Sequence, residues 1–303
     1  MTELTDFQRK LSAFLPEIEL RFWEPMSRHT SFRIGGGAEV MAFPKTREEL
    51  SLLLKTSALL DCKPAILGAG TNVLAPDAGM TGLVICLKDC LDGLELLSDN
   101  RIRVMAGVTM SRAAVFSAKH GLSGLEFAHG IPGTVGGGVY MNAGAYGGEI
   151  CNVCERVEVM DKNGNIRYLC NEEMQFSYRH SVLEDTGDIV ISADFSLIPG
   201  KEEEIKARMK ELINKRSASQ PLDLPSAGSA FKRPVGGYAA ALIEQAGMKG
   251  YQVGNAVISS KHAGFAVNLG GATAEDVKKL LREVSDKVYE NSGIRIEPEI
   301  RIW

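Results

Sequence analysis

Glycine is concentrated in one short stretch of this chain, and that stretch restricts what the chain can fold into. Eight of the 19 residues from 130 to 148 are glycine. Glycine loses more conformational freedom on folding than any other residue, so we expect no helix here and at best a weak strand. The apolar residues within the stretch, such as Val135 and Val139, disfavour a simple surface loop. We therefore expect a backbone that bends closely around a flat, charged ligand, with a glycine-rich surface loop as the alternative.

A second glycine-rich turn, Gly68-Ala-Gly-Thr-Asn72, follows an apolar strand predicted over residues 64–67. A G-x-G-x-x-G dinucleotide motif would need glycine at position 73, where the chain has valine, and the Gly-Lys-Ser/Thr ending of a P-loop is also missing. The turn is therefore either a nest of backbone N–H groups for a pyrophosphate or an ordinary tight turn. This segment alone does not separate the two.

The composition is typical of a globular protein of two or three domains. The 303 residues are 45% hydrophobic and 24% charged, which excludes a disordered chain. No stretch reaches the roughly 18 consecutive apolar residues of a membrane span, and the first residues show no secretory signal. We therefore expect a cytoplasmic protein without membrane insertion. The net charge of −4 gives no basic surface for nucleic acid, and we expect no obligate protein partner.

The six cysteines form no recognisable metal or disulfide framework. Cys151 and Cys154 make one C-x-x-C pair, but no second pair and no H-x₃₋₅-H pair follows, whereas a structural zinc site takes four ligands. Cys86 lies in an apolar run that is typical of a buried strand. We expect no metal and scattered reduced thiols, and we keep zinc or dithiol redox chemistry as the less favoured alternative.

Apolar periodicity and turn residues predict an α+β chain. Helices are predicted over residues 4–14, 46–60, 111–120, 202–216, 238–245 and 273–290. The last helix carries one apolar face, formed by Ala274, Val277, Leu280, Leu281, Val284 and Val288. Strands are predicted over residues 64–67, 83–87, 102–106, 156–160, 166–169, 189–197, 256–259, 264–268 and 294–303. An Asn-Gly turn joins the fourth and fifth of these strands in a hairpin. The main domain boundary is predicted at Pro199-Gly200.

Two local patterns make specific structural predictions. Thr46 and Glu49 have the spacing of a capping box, in which each side chain accepts a hydrogen bond from the other residue's backbone N–H. The strand predicted over 294–303 alternates apolar and charged side chains, with Pro298 at an edge or a bend. Its apolar side carries Ile294, Ile296, Ile300 and Ile302, and its charged side carries Arg295, Glu297, Glu299 and Arg301.

Seven segments together resemble the UDP-N-acetylenolpyruvoylglucosamine reductase family, flavoenzymes of peptidoglycan precursor synthesis. They occur in the family's order across nearly the whole chain, and chance recurrence of all seven is negligible. The segments are His29-Thr-Ser-Phe-Arg-Ile-Gly-Gly36, Ile66-Leu-Gly-Ala-Gly-Thr-Asn-Val-Leu74, Gly124-Leu-Glu-Phe-Ala-His-Gly-Ile-Pro-Gly-Thr-Val-Gly-Gly137, Met141-Asn-Ala-Gly-Ala-Tyr-Gly147, Tyr178-Arg-His-Ser181, Gly228-Ser-Ala-Phe-Lys-Arg-Pro234 and Ile296-Glu-Pro-Glu-Ile-Arg301.

This resemblance implies both a fold and a reaction. The fold is α+β, with an FAD-binding domain of the vanillyl-alcohol oxidase and p-cresol methylhydroxylase type over residues 1–198, in subdomains of about 1–80 and 81–198. A C-terminal α+β substrate-binding domain follows over residues 199–303. The implied enzyme is a UDP-N-acetylmuramate dehydrogenase that passes hydride from NADPH to noncovalent FAD. The hydride then goes to C3 of the enolpyruvyl group of UDP-N-acetylglucosamine-enolpyruvate, which gives UDP-N-acetylmuramate.

The resemblance also implies three catalytic residues. Hydride addition to C3 leaves carbanion character at C2, which needs charge stabilisation and then a proton. Ser229 matches the family's proton donor, Arg179 the arginine that pairs with the substrate carboxylate, and Glu299 the glutamate that polarises it. From the residues alone, Arg179 is typical of a surface position, Ser229 of a turn and Glu299 of the wet face of an edge strand.

Further residues are implied to bind cofactor and substrate. The FAD-binding set is Gly68, Ala69, Gly70, Thr71, Asn72, Val73, Leu74, Ile131, Pro132, Gly133, Thr134, Gly136, Gly137 and Gly144. The substrate-binding set is Tyr178, Lys232, Arg233, His262 and Arg301, with a purely structural histidine as the equal alternative for His262. His129 is expected near the flavin and not covalently attached to it.

Two departures from the family's longer subtype change the expected site. Twenty positions separate Arg179 from Pro199, which leaves no room for the tyrosine-bearing insertion that closes over substrate. The chain therefore resembles the shorter subtype. Lys232-Arg-Pro234 also stands where the longer subtype has Lys-Asn-Pro, so an asparagine contact would have to come from Arg233, whose reach and charge differ.

Two other classes of protein share part of this pattern. An FAD-linked oxidase on the same fold would share the cofactor half but would not need Ser229 and Glu299. A UDP-sugar or nucleotide-binding module would explain the glycines and the basic residues, but not three residues matched to one mechanism. Visible absorption separates the binding module from both enzymes, and NADPH oxidation that depends on the enolpyruvyl substrate separates the two enzymes.

Overall fold

The computed structural model describes residues 3–303 and confirms a mixed α+β chain. Its helices are α1 (Asp6–Phe14), α2 (Arg47–Leu59), α3 (Met110–Lys119), α4 (Val135–Tyr140), α5 (Leu183–Thr186), α6 (Glu202–Ser219), α7 (Ala239–Gln245) and α8 (Ala274–Ser292). Short 3₁₀ helices lie at Met26–Arg28, Glu126–Gly130 and Ile150–Asn152.

The strands are mostly short. They are β1 (Glu19–Pro25), β2 (Gly37–Phe43), β3 (Ala65–Leu67), β4 (Val73–Leu74), β5 (Met80–Cys86), β6 (Leu94–Leu96), β7 (Arg101–Met105), β8 (Leu122–Ser123), β9 (Gly144–Ala145), β10 (Gly148–Glu149), β11 (Cys154–Met160), β12 (Ile166–Cys170), β13 (Ile189–Ser196), β14 (Ile198–Pro199), β15 (Ser226–Ser229), β16 (Gln252–Val253), β17 (Ala256–Ile258), β18 (Phe265–Asn268) and β19 (Arg301–Ile302). Three sheets have the orders β1-β2-β5-β3, β12-β11-β13-β7-β6 and β15-β18-β17-β16, and three strand pairs are β10-β9, β14-β8 and β19-β4.

The chain divides into two compact units, which are described separately. Unit 1 contains the residues up to Phe22 together with Val40–Ala69 and Gly82–Lys215. Unit 2 contains Trp23–Glu39, Gly70–Thr81 and Arg216–Trp303. Two early segments thus belong to the same compact unit as the C-terminal third. The functional domains of residues 1–198 and 199–303 stay a prediction.

Unit 1 is built around the five-stranded sheet. The hairpin of β11 and β12 pairs Met160 with Ile166 and Val157 with Leu169, as its Asn-Gly turn predicts. Val157 and Val159 are fully buried in the apolar core. The other face carries charge: Asp194 on β13 accepts hydrogen bonds from Arg103 at 2.7 and 2.9 Å and from Arg156 at 2.8 and 3.2 Å.

Unit 2 packs helix α8 against strands β16 and β17. The face of α8 predicted from its periodicity is buried, at 0–2% exposure for Val277, Leu280, Leu281, Val284 and Val288. Thr273 and Asp276 cap the helix by exchanging side-chain and backbone hydrogen bonds. The carboxylate of Asp77 also accepts hydrogen bonds from the first two N–H groups of α8, at 2.8 and 3.2 Å. These bonds fix the segment Gly70–Thr81 within unit 2.

The expectation that the glycine-rich stretch contains no helix is wrong. Residues 135–140, with the sequence Val-Gly-Gly-Gly-Val-Tyr, form α4, which Thr134 caps by accepting from the N–H of Gly137 at 3.4 Å. Close packing explains the glycines: a Cβ on Gly136 would lie 3.0 Å from the Cβ of Ala106, and one on Gly138 would lie 2.7 Å from the sulfur of Met110. Tertiary packing therefore overrides the low helix propensity of glycine.

Two smaller predictions are also corrected. Thr46 caps α2 by accepting a hydrogen bond from the N–H of Glu49 at 3.1 Å. The Glu49 carboxylate, however, accepts from the backbone N–H of Lys45 at 2.6 Å and not from that of Thr46, so the capping box is only half formed. The strand predicted over 294–303 is reduced to β19, which pairs in parallel with β4. Ile296 and Ile300 are buried as predicted, whereas Ile302 is 45% exposed. The long strand fails because residues 294–297 find no ladder partner within residues 3–303 and Pro298 makes only a single bridge, to Phe231.

Candidate active site

Four backbone N–H groups in two glycine-rich segments of unit 1 make no hydrogen bond within residues 3–303. They belong to Gly68, Ala69, Gly133 and Thr134. The two segments touch, because a Cβ on Gly68 would lie 2.7 Å from Thr134 Oγ1. Clustered, unpaired N–H groups on glycine-rich backbone form a nest for anionic oxygen atoms. This part of unit 1 can therefore hold a pyrophosphate.

The remaining glycines of this region have other roles. The N–H of Gly136 donates to Ala106 at 2.9 Å, and that of Gly137 donates to the cap Thr134. Because these two N–H groups already have partners within the protein, only Gly133 and Thr134 of this second segment can donate to a ligand in the nest. A Cβ on Gly144 would lie 2.6 Å from Glu149 Cγ, so close packing accounts for this glycine.

The residues that precede Gly133 differ in their exposure. Ile131 is half-buried and Pro132 is exposed. His129 is half-buried, and its Nδ1 lies 3.1 Å from the hydroxyl of Ser111. This hydrogen bond to Ser111 accounts for the position of the His129 ring without a covalent partner.

The segment Gly70–Leu74 lies in unit 2 and pairs with the C-terminal strand. Val73 and Leu74 are in register with Arg301 and Ile302, and Thr71 is half-buried. Gly70 has φ +61°, and a Cβ there would lie 2.0 Å from the carbonyl oxygen of His29. Gly70 is therefore required by the protein's own backbone, whatever the turn binds.

Ser229 ends strand β15 at an irregular position. The register of β15 against β18 shifts between Ser226 and Ser229, where Gly228 has φ +79°. Ser229 is exposed, and its hydroxyl makes no hydrogen bond within the described part of the chain. The N–H of the next residue, Ala230, donates to Gly264 at 2.8 Å, which fixes the end of the strand. The hydroxyl is thus held at a rigid position with its proton available to a ligand.

Glu299 lies beside this serine in the paired backbone of unit 2. Its N–H donates to the carbonyl of Ala230 at 2.9 Å, and Phe231 bridges Pro298 in antiparallel fashion. The side-chain amide of Asn72 donates to the Glu299 carbonyl at 3.3 Å. Unit 2 therefore brings together Ser229, Glu299 and the segment Gly70–Leu74.

Arg179 lies in unit 1 on a tight turn with an uncommon backbone conformation. Its φ is +58°, and the turn is closed by a bridge between Ser177 and His180. Asn142, which is 1% exposed, donates to the carbonyl of Ser177 at 3.0 Å. The guanidinium lies over the ring of the exposed Tyr178, 5.0 Å from its centroid. A non-glycine residue at positive φ costs on the order of 1–3 kcal/mol and persists only where its surroundings fix it.

The predicted substrate-binding cations of unit 2 differ in their surroundings. Lys232 lies 3.4 Å from Glu297 in an exposed ion pair, and Arg233 stacks over the ring of Tyr238 at 4.1 Å. Arg301 is half-buried on β19. The exposed side chains of Lys232 and Arg233 can turn toward an anionic ligand at little cost, because surface ion pairs are weak.

His262 has a structural role in unit 2. Its Nδ1 accepts from the N–H of Gly264 at 3.1 Å, and its ring packs edge-on against Phe265 at 5.2 Å. Burial lowers the pKa of His262 below 6.5, so the ring is neutral near pH 7. One ring nitrogen is therefore committed to the turn behind Ser229, and a substrate contact would have to use the other.

The six cysteines form neither a disulfide nor a group of metal ligands within the described residues. All six are free thiols, and no group of three or more His, Cys, Asp or Glu residues within 3–303 could hold a metal ion. Burial raises the pKa of Cys154 to about 12 and also raises that of Cys151. Both thiols are therefore protonated near neutral pH and weakly reactive.

Sequence reasoning missed Ser31 and named Asn72 only as a cofactor-binding residue, not as a link between segments of the chain. Ser31 and Asn72 each connect parts of unit 2 that are distant along the chain. The one available signal was the segment His29–Gly36, which carries the family resemblance without an assigned role.

A search for helices within residues 3–303 that are long and apolar enough to cross a membrane finds none.

Two family models match separate parts of the chain. Residues 38–169 match an FAD binding domain, and residues 220–303 match the UDP-N-acetylenolpyruvoylglucosamine reductase C-terminal domain. Together with the N–H nest, these matches define a flavoprotein with FAD as its cofactor. The predicted order, an FAD-binding domain followed by a C-terminal α+β domain, is confirmed.

Relatives over nearly the full length define the family. The UDP-N-acetylenolpyruvoylglucosamine reductase of Caldanaerobacter subterraneus subsp. tengcongensis is 47% identical over 97% of this chain and 96% of its own. That of Streptococcus thermophilus is 43% identical over the same shares. The crystal structure of the Thermus caldophilus reductase superposes with a TM-score of 0.78 at 36% identity, over 95% of this chain and 99% of that chain. The chain belongs to the UDP-N-acetylenolpyruvoylglucosamine reductase family, and it is an oxidoreductase of peptidoglycan precursor synthesis.

Proposed function

We propose that this protein uses NADPH to reduce the enolpyruvyl group of UDP-N-acetylglucosamine-enolpyruvate, giving UDP-N-acetylmuramate in the cytoplasm. The activity for which its relatives are named, UDP-N-acetylenolpyruvoylglucosamine reduction, supports the substrate. The observation that carries the mechanism is Ser229, an exposed hydroxyl without a hydrogen bond within the described residues, held one residue from the Ala230–Glu299 backbone pair. Bound FAD supplies hydride acceptance from NADPH and hydride delivery to the C3 atom.

The chain's own residues then handle charge and the proton. The C2=C3 double bond gains a hydride at C3 and a proton at C2. Arg179 pairs with the substrate carboxylate, and Glu299 polarises it, so that the negative charge that develops is stabilised. Ser229 donates its proton to C2, and because Ser229 is exposed, solvent restores that proton afterwards. A serine is a weak acid, so the step requires a strongly basic carbanion and a hydroxyl fixed close to it.

Binding is assigned to the remaining residues by the same reasoning. The N–H groups of Gly68, Ala69, Gly133 and Thr134 hold the FAD pyrophosphate. Lys232, Arg233 and Arg301 provide positive charge for the UDP diphosphate, with Tyr178 beside Arg179. No insertion follows the first strand after Arg179: β13 ends at Ser196, and β14 begins at Ile198.

Stopped-flow absorbance of each half-reaction in Ser229→Ala tests this proposal. Flavin reduction by NADPH should be unchanged, since it needs no proton at C2. Flavin reoxidation by the enolpyruvyl substrate should slow by about 10²–10⁴, the usual contribution of a general acid. Ser226→Ala, which removes another hydroxyl of β15, is the control and should affect neither step. Equal slowing of both half-reactions would show that Ser229 only holds structure, and faster reoxidation by oxygen than by substrate would favour an oxidase.

A further inference from the structure

Ser31 connects two parts of unit 2, at Gly70 and at Ser226, whose relative position matters for the proposed reaction. Its backbone N–H donates to the carbonyl of Gly70 at 3.0 Å. Its hydroxyl donates to the carbonyl of Ser226 at 2.6 Å. The same hydroxyl lies 3.4 Å from the Gly70 carbonyl, too far to compete with the shorter bond. One residue therefore holds the segment Gly70–Leu74 and strand β15 at a fixed separation.

The two ends of this connection have different tasks. Gly70 begins the unit 2 part of the expected FAD-binding turn, and Ser226 begins the strand that ends at Ser229. The hydroxyl of Ser31 makes no hydrogen bond to Ser229 within the described residues, so we expect its effect on the proton donor to pass through the backbone of β15. Because β15 is only four residues long and is irregular at Gly228, an anchor at its first residue influences where the last one lies.

We propose that Ser31 is a positioning residue for the proton donor: it sets the distance between the flavin-binding turn and Ser229. This inference rests on the proposed role of Ser229. The inference gives the segment His29–Gly36 a role in the active site. In the same segment, the carbonyl oxygen of His29 lies so close to Gly70 that no side chain fits at position 70.

Ser31→Ala keeps the backbone bond to Gly70 and removes the bond to Ser226. The oxidative half-reaction should slow by about ten- to a hundredfold, because a displacement of about 1 Å at a reacting group can cost on that order. Flavin reduction by NADPH and the dissociation constant for FAD, measured by fluorescence titration, should stay unchanged. Ser31→Thr, which keeps the hydroxyl, should restore the rate.

Thr30→Val is the matched control. Thr30 is 5% exposed, and its hydroxyl donates to the carbonyl of Ile34 at 3.1 Å, within the same loop. Thr30→Val removes a comparable hydrogen bond to a backbone carbonyl and leaves both hydrogen bonds of Ser31, to Gly70 and to Ser226, in place. Both variants should lower the melting temperature, but only Ser31→Ala should change the ratio of the two half-reactions. Equal ratios in the two variants would overturn the inference.

A double-mutant cycle separates this inference from the proposed function. If Ser31 acts through Ser229, then Ser31→Ala should slow the oxidative step no further in the Ser229→Ala background. Additive losses would overturn the positioning role. A large effect of Ser229→Ala with none of Ser31→Ala would overturn this inference alone, whereas an unchanged oxidative step in Ser229→Ala would overturn the proposed function and the positioning role with it.

Discussion

The backbone N–H of Glu299 donates to the carbonyl of Ala230 at 2.9 Å, next to Ser229. The contact is between backbone atoms, so a change of the Glu299 side chain leaves it in place. Glu299 can therefore be altered without displacing Ser229, and kinetic effects at the two positions can be interpreted separately.

Glu299→Gln and Arg179→Lys should each lower kcat far more than they raise KM. Their proposed task is to stabilise charge that grows as hydride arrives, so the loss appears in the rate. Arg179→Lys keeps the charge but loses the planar two-point fork that matches a carboxylate. We expect a loss of about 2–4 kcal/mol in transition-state stabilisation for each, from steady-state kinetics.

Lys232→Ala is the contrasting variant in the same experiment. A contact to a diphosphate serves the ground state and the transition state equally, so KM should rise with kcat little changed. If Glu299→Gln instead raises KM alone, the glutamate is a binding residue and has no catalytic role.

Two adjacent glycines of α4 should respond in opposite ways to alanine. A Cβ on Gly137 would meet only Thr134 Oγ1, at 3.6 Å, whereas one on Gly136 would lie 3.0 Å from the Cβ of Ala106. Gly137→Ala should therefore stabilise the apoprotein by about 0.5–1 kcal/mol, the difference in helix propensity, and Gly136→Ala should destabilise it.

Urea unfolding of the two apoproteins measures these changes. Flavin titration of the same variants tests whether Gly137 lies against FAD: weaker binding by a more stable Gly137→Ala protein would place the cofactor there. Unchanged affinity would remove Gly137 from the cofactor-binding set.

The charge network on the unit 1 sheet predicts a pH-dependent stability. Burial alone would raise the pKa of Asp194, but hydrogen bonds from Arg103 and Arg156 outweigh it and hold the pKa below its ordinary value of 3.8. A carboxylate with a lowered pKa contributes stability above its unfolded pKa and loses that contribution as the pH falls through the folded one. Asp194→Asn should cost about 2 kcal/mol at pH 7, the scale of hydrogen bonds to a charged group.

The difference between the wild type and Asp194→Asn should shrink below about pH 4, as the wild-type carboxylate is protonated. Urea unfolding at pH 7 and at lower pH measures it. Asp99→Asn is the control, since Asp99 is 82% exposed and lies 3.4 Å from Arg101, so its effect should be small at every pH. A constant difference at all pH values would mean that the Asp194 charge contributes nothing.

The sequence correctly predicted those helices and strands that are determined by neighbouring residues along the chain. The Asn-Gly turn predicted the hairpin of β11 and β12, and apolar periodicity predicted the buried face of α8. Helix α4 was missed because its cause is tertiary: Gly136 allows the helix backbone to lie against Ala106. The length of β19 was overestimated because alternation along the chain does not show which residues find a partner strand.

The site shows the same division. Family resemblance supplied Ser229, Arg179 and Glu299 as candidates, and the backbone pairing of Glu299 with Ala230 follows only from the fold. Ser31 could not be identified from the sequence, because its hydroxyl donates to a backbone carbonyl 195 residues away. Every residue has a backbone carbonyl, so the sequence does not show which one a distant hydroxyl will contact.

The discontinuous make-up of unit 2 also determines when an active molecule can exist during synthesis. Segments 23–39 and 70–81 leave the ribosome early, but Asn72 reaches Glu299 only after 227 further residues have been made. Contacts across such separations form late, because the loop must close before the contact can stabilise it. A nascent chain therefore carries the segment Gly70–Leu74, which we propose to bind flavin, without its partner strand, and β4 can pair only once β19 has been made.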